Sequence, residues 1–193
     1  MAFKLDISKA YDKVNWDLLF KVLLKLGFNQ KMVSMIRECV TTVQFSVLIN
    51  GTPRGCFKAE KGIRQGDPLS PYLFIMIAEV LSRNVTHLVS NGRLQGFKVA
   101  STLPPSNIQQ FMDDTFLFGK SSVMEAKGWK ILLANYAKAL EQCINYEKSN
   151  LFFFNTPNEL QLRILSILRC KMATLPGTYL GLPLIVKEVT PTF

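Results

Sequence analysis

Phe111-Met112-Asp113-Asp114-Thr115-Phe116-Leu117-Phe118 is the stretch from which the fold can be read outward. Two adjacent carboxylates stand between apolar residues, with Ile108, Phe111 and Met112 before them and Phe116, Leu117 and Phe118 after them. Apolar and aromatic runs split by a short polar pair predict two strands joined by a tight turn. Asp tolerates turn conformations, so on one reading the acids only make the turn. Two acids in a row repel, however, and Asn-Gly or Asp-Gly would make a turn without that cost. On the other reading the pair, held at the tip of a rigid hairpin, serves a hard divalent cation such as Mg2+, which takes carboxylate oxygens.

The chain of 193 residues is 48% hydrophobic, enough to bury a sizeable core, and no Pro-Gly-Ser linker or internal repeat divides it. Residues 1–193 are therefore read as one domain or a large part of one. The formal charge of +9, from 23 Lys and Arg against 14 Asp and Glu, favours a polyanionic partner, most simply nucleic acid. Five of the six Asp residues (Asp6, Asp12, Asp67, Asp113, Asp114) fall in or beside the stretches singled out here. Cys39, Cys56, Cys143 and Cys170 are scattered, no C-x-x-C pair exists, and His87 is the one histidine, which predicts no zinc site. The same spacing predicts reduced thiols in apolar surroundings and an intracellular home. Neither a signal peptide nor an uninterrupted apolar run of membrane-spanning length is visible, so no membrane partner is expected.

The first residues, Ala2-Phe3-Lys4-Leu5-Asp6-Ile7, read as a strand ending in an acid. An opening inside a core strand leads to the expectation that an N-terminal part precedes it. Asn15 is a plausible N-cap for a helix with Leu18, Leu19, Val22, Leu23 and Leu26 at helical spacing, closed by Gly27. A second helix is predicted over Lys31 to Val40. Gln44 to Ile49 reads as a strand with Phe45, Val47 and Ile49 on one apolar face; Asn50-Gly51 turns it into a return strand, Thr52 to Lys58.

Lys61-Gly62-Ile63-Arg64-Gln65-Gly66-Asp67-Pro68-Leu69-Ser70-Pro71 combines glycines that admit close approach with positive charge and a side-chain amide. A helix with Pro71 in its first turn follows and carries Leu73, Phe74, Ile77, Leu81 and Val85 toward Asn91-Gly92. Such a loop either contacts phosphate or base, or is a plain connector. Phe97 to Ala100 reads as a short strand and Val123 to Cys143 as a helix with Trp129, Leu132, Leu133, Tyr136 and Leu140 in an apolar stripe. Leu151-Phe152-Phe153-Phe154 reads as a strand buried on both faces, Leu160 to Leu168 as a helix, and Tyr179 to Leu184 as a turn or hairpin. Strands alternating with helices, plus hairpins, predict α+β with an antiparallel sheet. If the Asp6 and Asp113-Asp114 strands are neighbours, three carboxylates converge, a cluster that two Mg2+ ions about 4 Å apart would neutralise in phosphoryl transfer.

Nearly end to end, the chain resembles the reverse transcriptase of non-LTR (LINE-type) retrotransposons, most like plant elements. Phe3 to Val14 resembles polymerase motif A, Gly62 to Phe74 motif B, and Phe111-Met112-Asp113-Asp114 motif C. Asn145-Tyr146-Glu147-Lys148-Ser149 resembles motif D, and Tyr179-Leu180-Gly181-Leu182-Pro183 motif E. The resemblance implies a palm-type antiparallel sheet packed on helices and template-directed DNA synthesis from an RNA template, a DNA primer and dNTPs. It implies Asp6, Asp113 and Asp114 as the catalytic acids, these and the Ile7 carbonyl as holders of two Mg2+ ions, with Mn2+ as the alternative. Tyr11 would be the aromatic gate against a ribose 2′-hydroxyl, with Gln65, Gly66 and Lys148 at the nucleotide. Arg64, Met112, Tyr179, Leu180 and Gly181 would meet template or primer.

Two positions depart from the pattern. Met112 stands where the family usually has Ala, and Leu140-Glu141-Gln142 replaces a usual Ser-Gly-Gln. Fingers before motif A, a thumb beyond a connecting region near 176–193, and an endonuclease region are expected to belong to a longer polyprotein, at work in nucleus and cytoplasm. The rival expectation is a catalytically inactive remnant that at most binds nucleic acid through its basic surface.

Overall fold

Alternation in the first strand sets the architecture. In β1 (Ala2–Leu5), Phe3 and Leu5 are almost fully buried, while Lys4, between them, is half-buried on the opposite face. The computed structural model, which describes residues 1–97, 106–112, 114–141, 144–174, 177–179 and 182–184, makes β1 the middle strand of a five-stranded sheet. The order is β4 (Ile108–Phe111), β5 (Asp114–Phe118), β1, β6 (Asn150–Phe152), β7 (Lys171–Met172). All neighbours are antiparallel except β6 and β7, joined through α5 (Asn158–Leu168) as a parallel crossover. The fold is α+β and palm-like, as expected; β7 was missed because two exposed residues carry no period.

Helices cover one face of the sheet. α1 (Trp16–Lys25) packs on α2 (Gln30–Thr41) and α3 (Ser70–Ser90), and α4 (Val123–Leu140) on α3 and α5. Phe3, Leu5, Leu117 and Leu151 from the sheet join Leu19, Leu23, Ile77, Leu81, Trp129 and Leu133 from the helices in one core. Trp129 stacks on Phe3, centroids 6.0 Å apart. The other face holds a smaller cluster of Ala2, Phe116 and Phe152, with Phe118 and Ala173 against it. α3 is long and apolar enough by length and composition to cross a membrane; here it buries Leu73, Phe74, Ile77, Leu81 and Val85, and outside carries the Arg83–Glu79 ion pair at 3.0 Å.

Local chemistry places the helix ends. The Asn15 side chain accepts the Leu18 N–H at 2.9 Å, Asn29 caps α2 through Met32 at 2.8 Å, and Ser122 caps α4 through Glu125 at 3.1 Å. Asn50 and Gly51, both at positive φ, turn β2 (Gln44–Ile49) into β3 (Thr52–Lys58). A last hairpin pairs β8 (Gly177–Tyr179) with β9 (Leu182–Leu184).

Several expectations change. Val47 and Ile49 are exposed on a two-stranded sheet separate from the five-stranded one, and the register shifts between Phe45 and Val47. The strand expected at Leu151 to Phe154 ends at Phe152; Leu151 and Phe152 are buried on opposite faces but Phe154 is exposed. Cys39 and Cys56 are exposed rather than in apolar surroundings, since they sit on the outer side of α2 and on β3; Cys170 is half-buried. Cys143 and the strand expected beyond Phe97 lie outside the described residues.

Glu125 yields a pH prediction. Ser122 and Glu125 have capping-box spacing, yet the buried carboxylate turns to the Gln95 N–H at 2.9 Å, and its Oε1 has no hydrogen-bond partner among the described residues. Burial raises the carboxyl above its ordinary value of 4.5, against opposing pulls from the Gln95 bond and the terminal ammonium. The folded chain thus takes up the proton before the unfolded one. Its contribution is fully present below the unfolded value and fades as pH rises through the folded one. Glu125→Gln should therefore gain in Tm relative to the parent as pH rises from 4.5 toward neutrality, read by thermal denaturation across a pH series; a constant Tm difference refutes this.

Candidate active site

Strand register brings the first acid to the others. β1 pairs with β5 as Lys4↔Phe116 and Leu5↔Thr115, where the ladder ends; Asp6 is the next residue on one strand and Asp114 the residue before on the other. Directly opposed residues of an antiparallel pair share a face. Phe3, Leu5, Leu117 and Thr115 take the helix side, which leaves Lys4, Asp6 and Asp114 on the other. Asp6 and Asp114 are both half-buried. The Lys4 ammonium lies 3.5 Å from Asp114 Oδ1.

The hairpin differs in detail from expectation. Phe111 pairs with Asp114, so Asp114 opens β5 instead of sitting at the tip, and Met112 enters the turn with φ 55°. Two-residue hairpin loops require positive φ, and here register, not residue preference, puts Met112 there. Asp113 lies outside the described residues.

The main chain of Asp6 is held from both sides by a segment far along the sequence. Its N–H donates to Ser149 Oγ at 3.1 Å and its carbonyl accepts from the Asn145 N–H at 2.9 Å. Ile7, the expected carbonyl ligand, forms an isolated antiparallel bridge with Ile144. The buried Ser149 hydroxyl in turn donates to the Asn145 carbonyl at 2.7 Å. Lys148, within this turn, is exposed, and with Asp6, Ile7, Ser8, Lys9 and Lys13 it lines an open pocket of about 470 Å³. The resemblance named only Lys148 here; Lys9 and Lys13 went unnoticed, although their i, i+4 spacing beside Asp6 was the available signal.

Tyr11 joins three stretches. Its ring stacks on Phe74 of α3 at 4.5 Å and 11°, and its hydroxyl lies 4.0 Å from Met112 Sδ. The glycine loop is strapped on by main-chain bonds: Ile63 N–H to Tyr11 carbonyl at 3.0 Å, Gly62 N–H to Val14 carbonyl at 2.8 Å. Trp16 Nε1 donates to the Gly62 carbonyl at 2.6 Å. Gly62 has φ +89°, and a Cβ there would stand 2.6 Å from the Asp12 carbonyl oxygen, so only glycine permits the approach. Gln65 Nε2 donates to Asp12 Oδ1 at 3.4 Å, and Asp12, Lys61, Arg64 and Gln65 line a second pocket of about 500 Å³. Arg64 and Gly66 are exposed beside it. Tyr179 pairs with Leu182 at the end of β8, while Leu180 and Gly181 lie outside the described residues.

The donors at Asp6 and Asp114 are hard carboxylate oxygens, and an ammonium already occupies a cation position at one of them, so the pair fits Mg2+ chemically. Among the described residues no three metal-ligating side chains meet; a third acid would have to be Asp113.

Comparison with known proteins bears on the family and the fold. A reverse transcriptase (RNA-dependent DNA polymerase) family model matches residues 1–184. An uncharacterized mitochondrial protein of Arabidopsis thaliana is 38% identical over 109 residues, 56% of this chain and 88% of that protein. The retrovirus-related Pol polyprotein of a type-1 R2 retrotransposable element from Popillia japonica is 31% identical over 80 residues, covering 41% of this chain and 13% of the polyprotein. That of a type-2 element from Drosophila melanogaster is 28% identical over 129 residues, 67% of this chain and 11% of the polyprotein. Among solved structures, telomerase from Candida albicans with a fragment of telomeric RNA superposes with TM-score 0.60 at 14% identity, over 77% of this chain and 27% of that one. Apo telomerase from Candida tropicalis gives 0.59 at 16%, over 77% and 29%. Those two likenesses are of fold.

Two substitutions test the scaffold. Ser149→Ala leaves the Asp6 N–H without its acceptor and should cost about 1–2 kcal/mol in urea denaturation. Gly62→Ala, which drives a Cβ into main chain, should destabilise by about 2–3 kcal/mol. Gly66→Ala, at φ +83° with nothing within 4 Å, should cost only the left-handed strain of about 1 kcal/mol. Equal costs at the two glycines would refute the close-approach reading.

Proposed function

The chain belongs to the reverse transcriptase (RNA-dependent DNA polymerase) family, and from that membership we propose that its sheet is the palm on which a primer 3′-hydroxyl is joined to a dNTP copied from an RNA template, in retrotransposition. The observation that supports the reading is the β1–β5 ladder, which ends at Leu5↔Thr115 with Asp6 and Asp114 as the next residues on the two strands, and the pocket that Asp6 shares with Lys148.

Asp6 and Asp114 supply anionic oxygens, Asp113 is the third acid by sequence, and the Ile7 carbonyl is the main-chain ligand. Two Mg2+ ions, or Mn2+ in their place, would favour ionisation of the primer hydroxyl and offset charge on the triphosphate. Tyr11, backed by Phe74, crowds the position of a 2′-hydroxyl. Lys148, with Lys9 and Lys13, draws in the triphosphate. Gln65 and Gly66 line the nucleotide and template position. Arg64, Met112, Tyr179, Leu180 and Gly181 are assigned to template or primer. A net charge of +9 supports nucleic-acid binding that weakens with salt. The chain spans only 13% and 11% of the Pol polyproteins it matches, and this 193-residue chain alone is proposed to extend primers weakly or not at all.

Primer extension on an RNA template with Mg2+, by the longest reading frame containing this chain, tests the proposal. Asp6→Ala, Asp113→Ala and Asp114→Ala should each lower extension about a hundredfold or more, the scale of losing several kcal/mol of transition-state stabilisation. Undiminished extension by these variants sinks the assignment. Tyr11→Val should raise ribonucleotide incorporation relative to deoxyribonucleotide by about tenfold.

A further inference from the structure

The polymerase reading leaves Lys4 without a role. Lys4 lies two residues before Asp6 on β1, and strand alternation puts both side chains on the face away from the helices. Its cross-strand partner is Phe116, so Asp114 is its diagonal neighbour, a separation of about 7–8 Å that a lysine stem spans. Its Nζ stands 3.5 Å from Asp114 Oδ1, with side-chain exposures of 26% and 35%. An ion pair this open to water adds little stability of its own. On this face Lys4 has Asn150 directly across on β6, with the buried apolar Ala2, Phe116 and Phe152 around it. The ammonium therefore lies at the edge of an apolar patch and reaches Asp114.

Resting on the reading of Asp6 and Asp114 as a divalent-cation site, we propose that Lys4 is a built-in counter-ion. Its ammonium holds the Asp114 carboxylate in position before a divalent cation is bound and withdraws when one arrives. Lys4 thereby sets the cation concentration at which the site fills. The ammonium and the cation compete for one carboxylate, and two positive charges at that distance repel. The contact is suited to release: it is long, partly solvated, and made by a compact charge on a flexible stem. Lys4 is a positioning residue, acting through Asp114.

Titration of the 193-residue chain with Mn2+, following the free-ion signal by electron paramagnetic resonance, tests this without relying on activity. Lys4→Met should lower the apparent Kd for Mn2+ by about tenfold, the order expected for removing a unit charge next to the site. Lys4→Gln, also neutral, should move the same way, which guards against a folding defect in either variant; circular dichroism checks both folds. Lys4→Arg keeps the charge and can grip the carboxylate with two N–H groups, so its Kd should stay at or above that of the parent. A Kd unchanged or raised in both folded neutral variants overturns the inference. Asp114→Asn separates the two levels. If it weakens Mn2+ binding while the Lys4 variants do nothing, only the role of Lys4 falls. If the parent binds no more Mn2+ than Asp114→Asn, the cation-site reading and this inference fall together.

Discussion

Placement of one carboxylate depends on both main-chain groups of Asp6 being taken up. Its N–H goes to Ser149 Oγ and its carbonyl to the Asn145 N–H, from residues about 140 positions away in the chain. On its other side β1 is zipped to β5 up to Leu5↔Thr115. A strand so held has no freedom to slip, and a slip of one residue would turn Asp6 into the helix-facing core and bring Leu5 to the open face. The turn at Asn145 to Ser149 is thus structural before it is anything else. That Lys148 lies inside it means the same bonds that hold the acid also hold a cation at the rim of its pocket.

The second constraint is the packing of Tyr11. An aromatic gate of the kind proposed for Tyr11 is useful only if it cannot rotate away, and Phe74 supplies a parallel wall at 4.5 Å. Phe74 can do so because Ile63 and Gly62 hydrogen-bond to Tyr11 and Val14 carbonyls, which fixes the loop leading into α3 against the turn that carries Tyr11. Gly62 makes this approach possible, since any side chain would collide with the Asp12 main chain. Gly62 therefore serves close contact of two backbones, a use that the sequence, read as either a ligand-contacting loop or a plain connector, did not name.

Charge follows the same plan. The chain carries +9 overall, yet Asp6, Asp12 and Asp114 lie within or around the two pockets, each with lysine or arginine nearby. A basic protein that sets aspartates in or beside its pockets combines long-range attraction for polyanions with a local preference for cations. Lys4 stands at the meeting point of the two.

Much of this was legible from local pattern. Helix stripes in α1, α3 and α4, the Asn15 cap, the Asn50-Gly51 turn and the strands flanking Asp113-Asp114 follow from periodicity and turn chemistry, which act within a few residues. The β2–β3 hairpin shows the limit: its alternation reads as a half-buried strand, but burial needs a partner that local sequence does not specify. Ordered motifs named the candidate acids, the gate and the nucleotide residues. The sequence by itself determined the elements, their ends and the residue types of the site. Only the tertiary structure decided that the strands leading to Asp6 and from Asp114 are neighbours, that Met112 enters the turn, that Phe74 braces Tyr11, that Ser149 holds Asp6 and that Lys4 reaches Asp114. The physical reason is sequence separation: the bond between Asp6 and Ser149 joins positions 143 apart, and at that distance only register and packing, not propensity, select the partner.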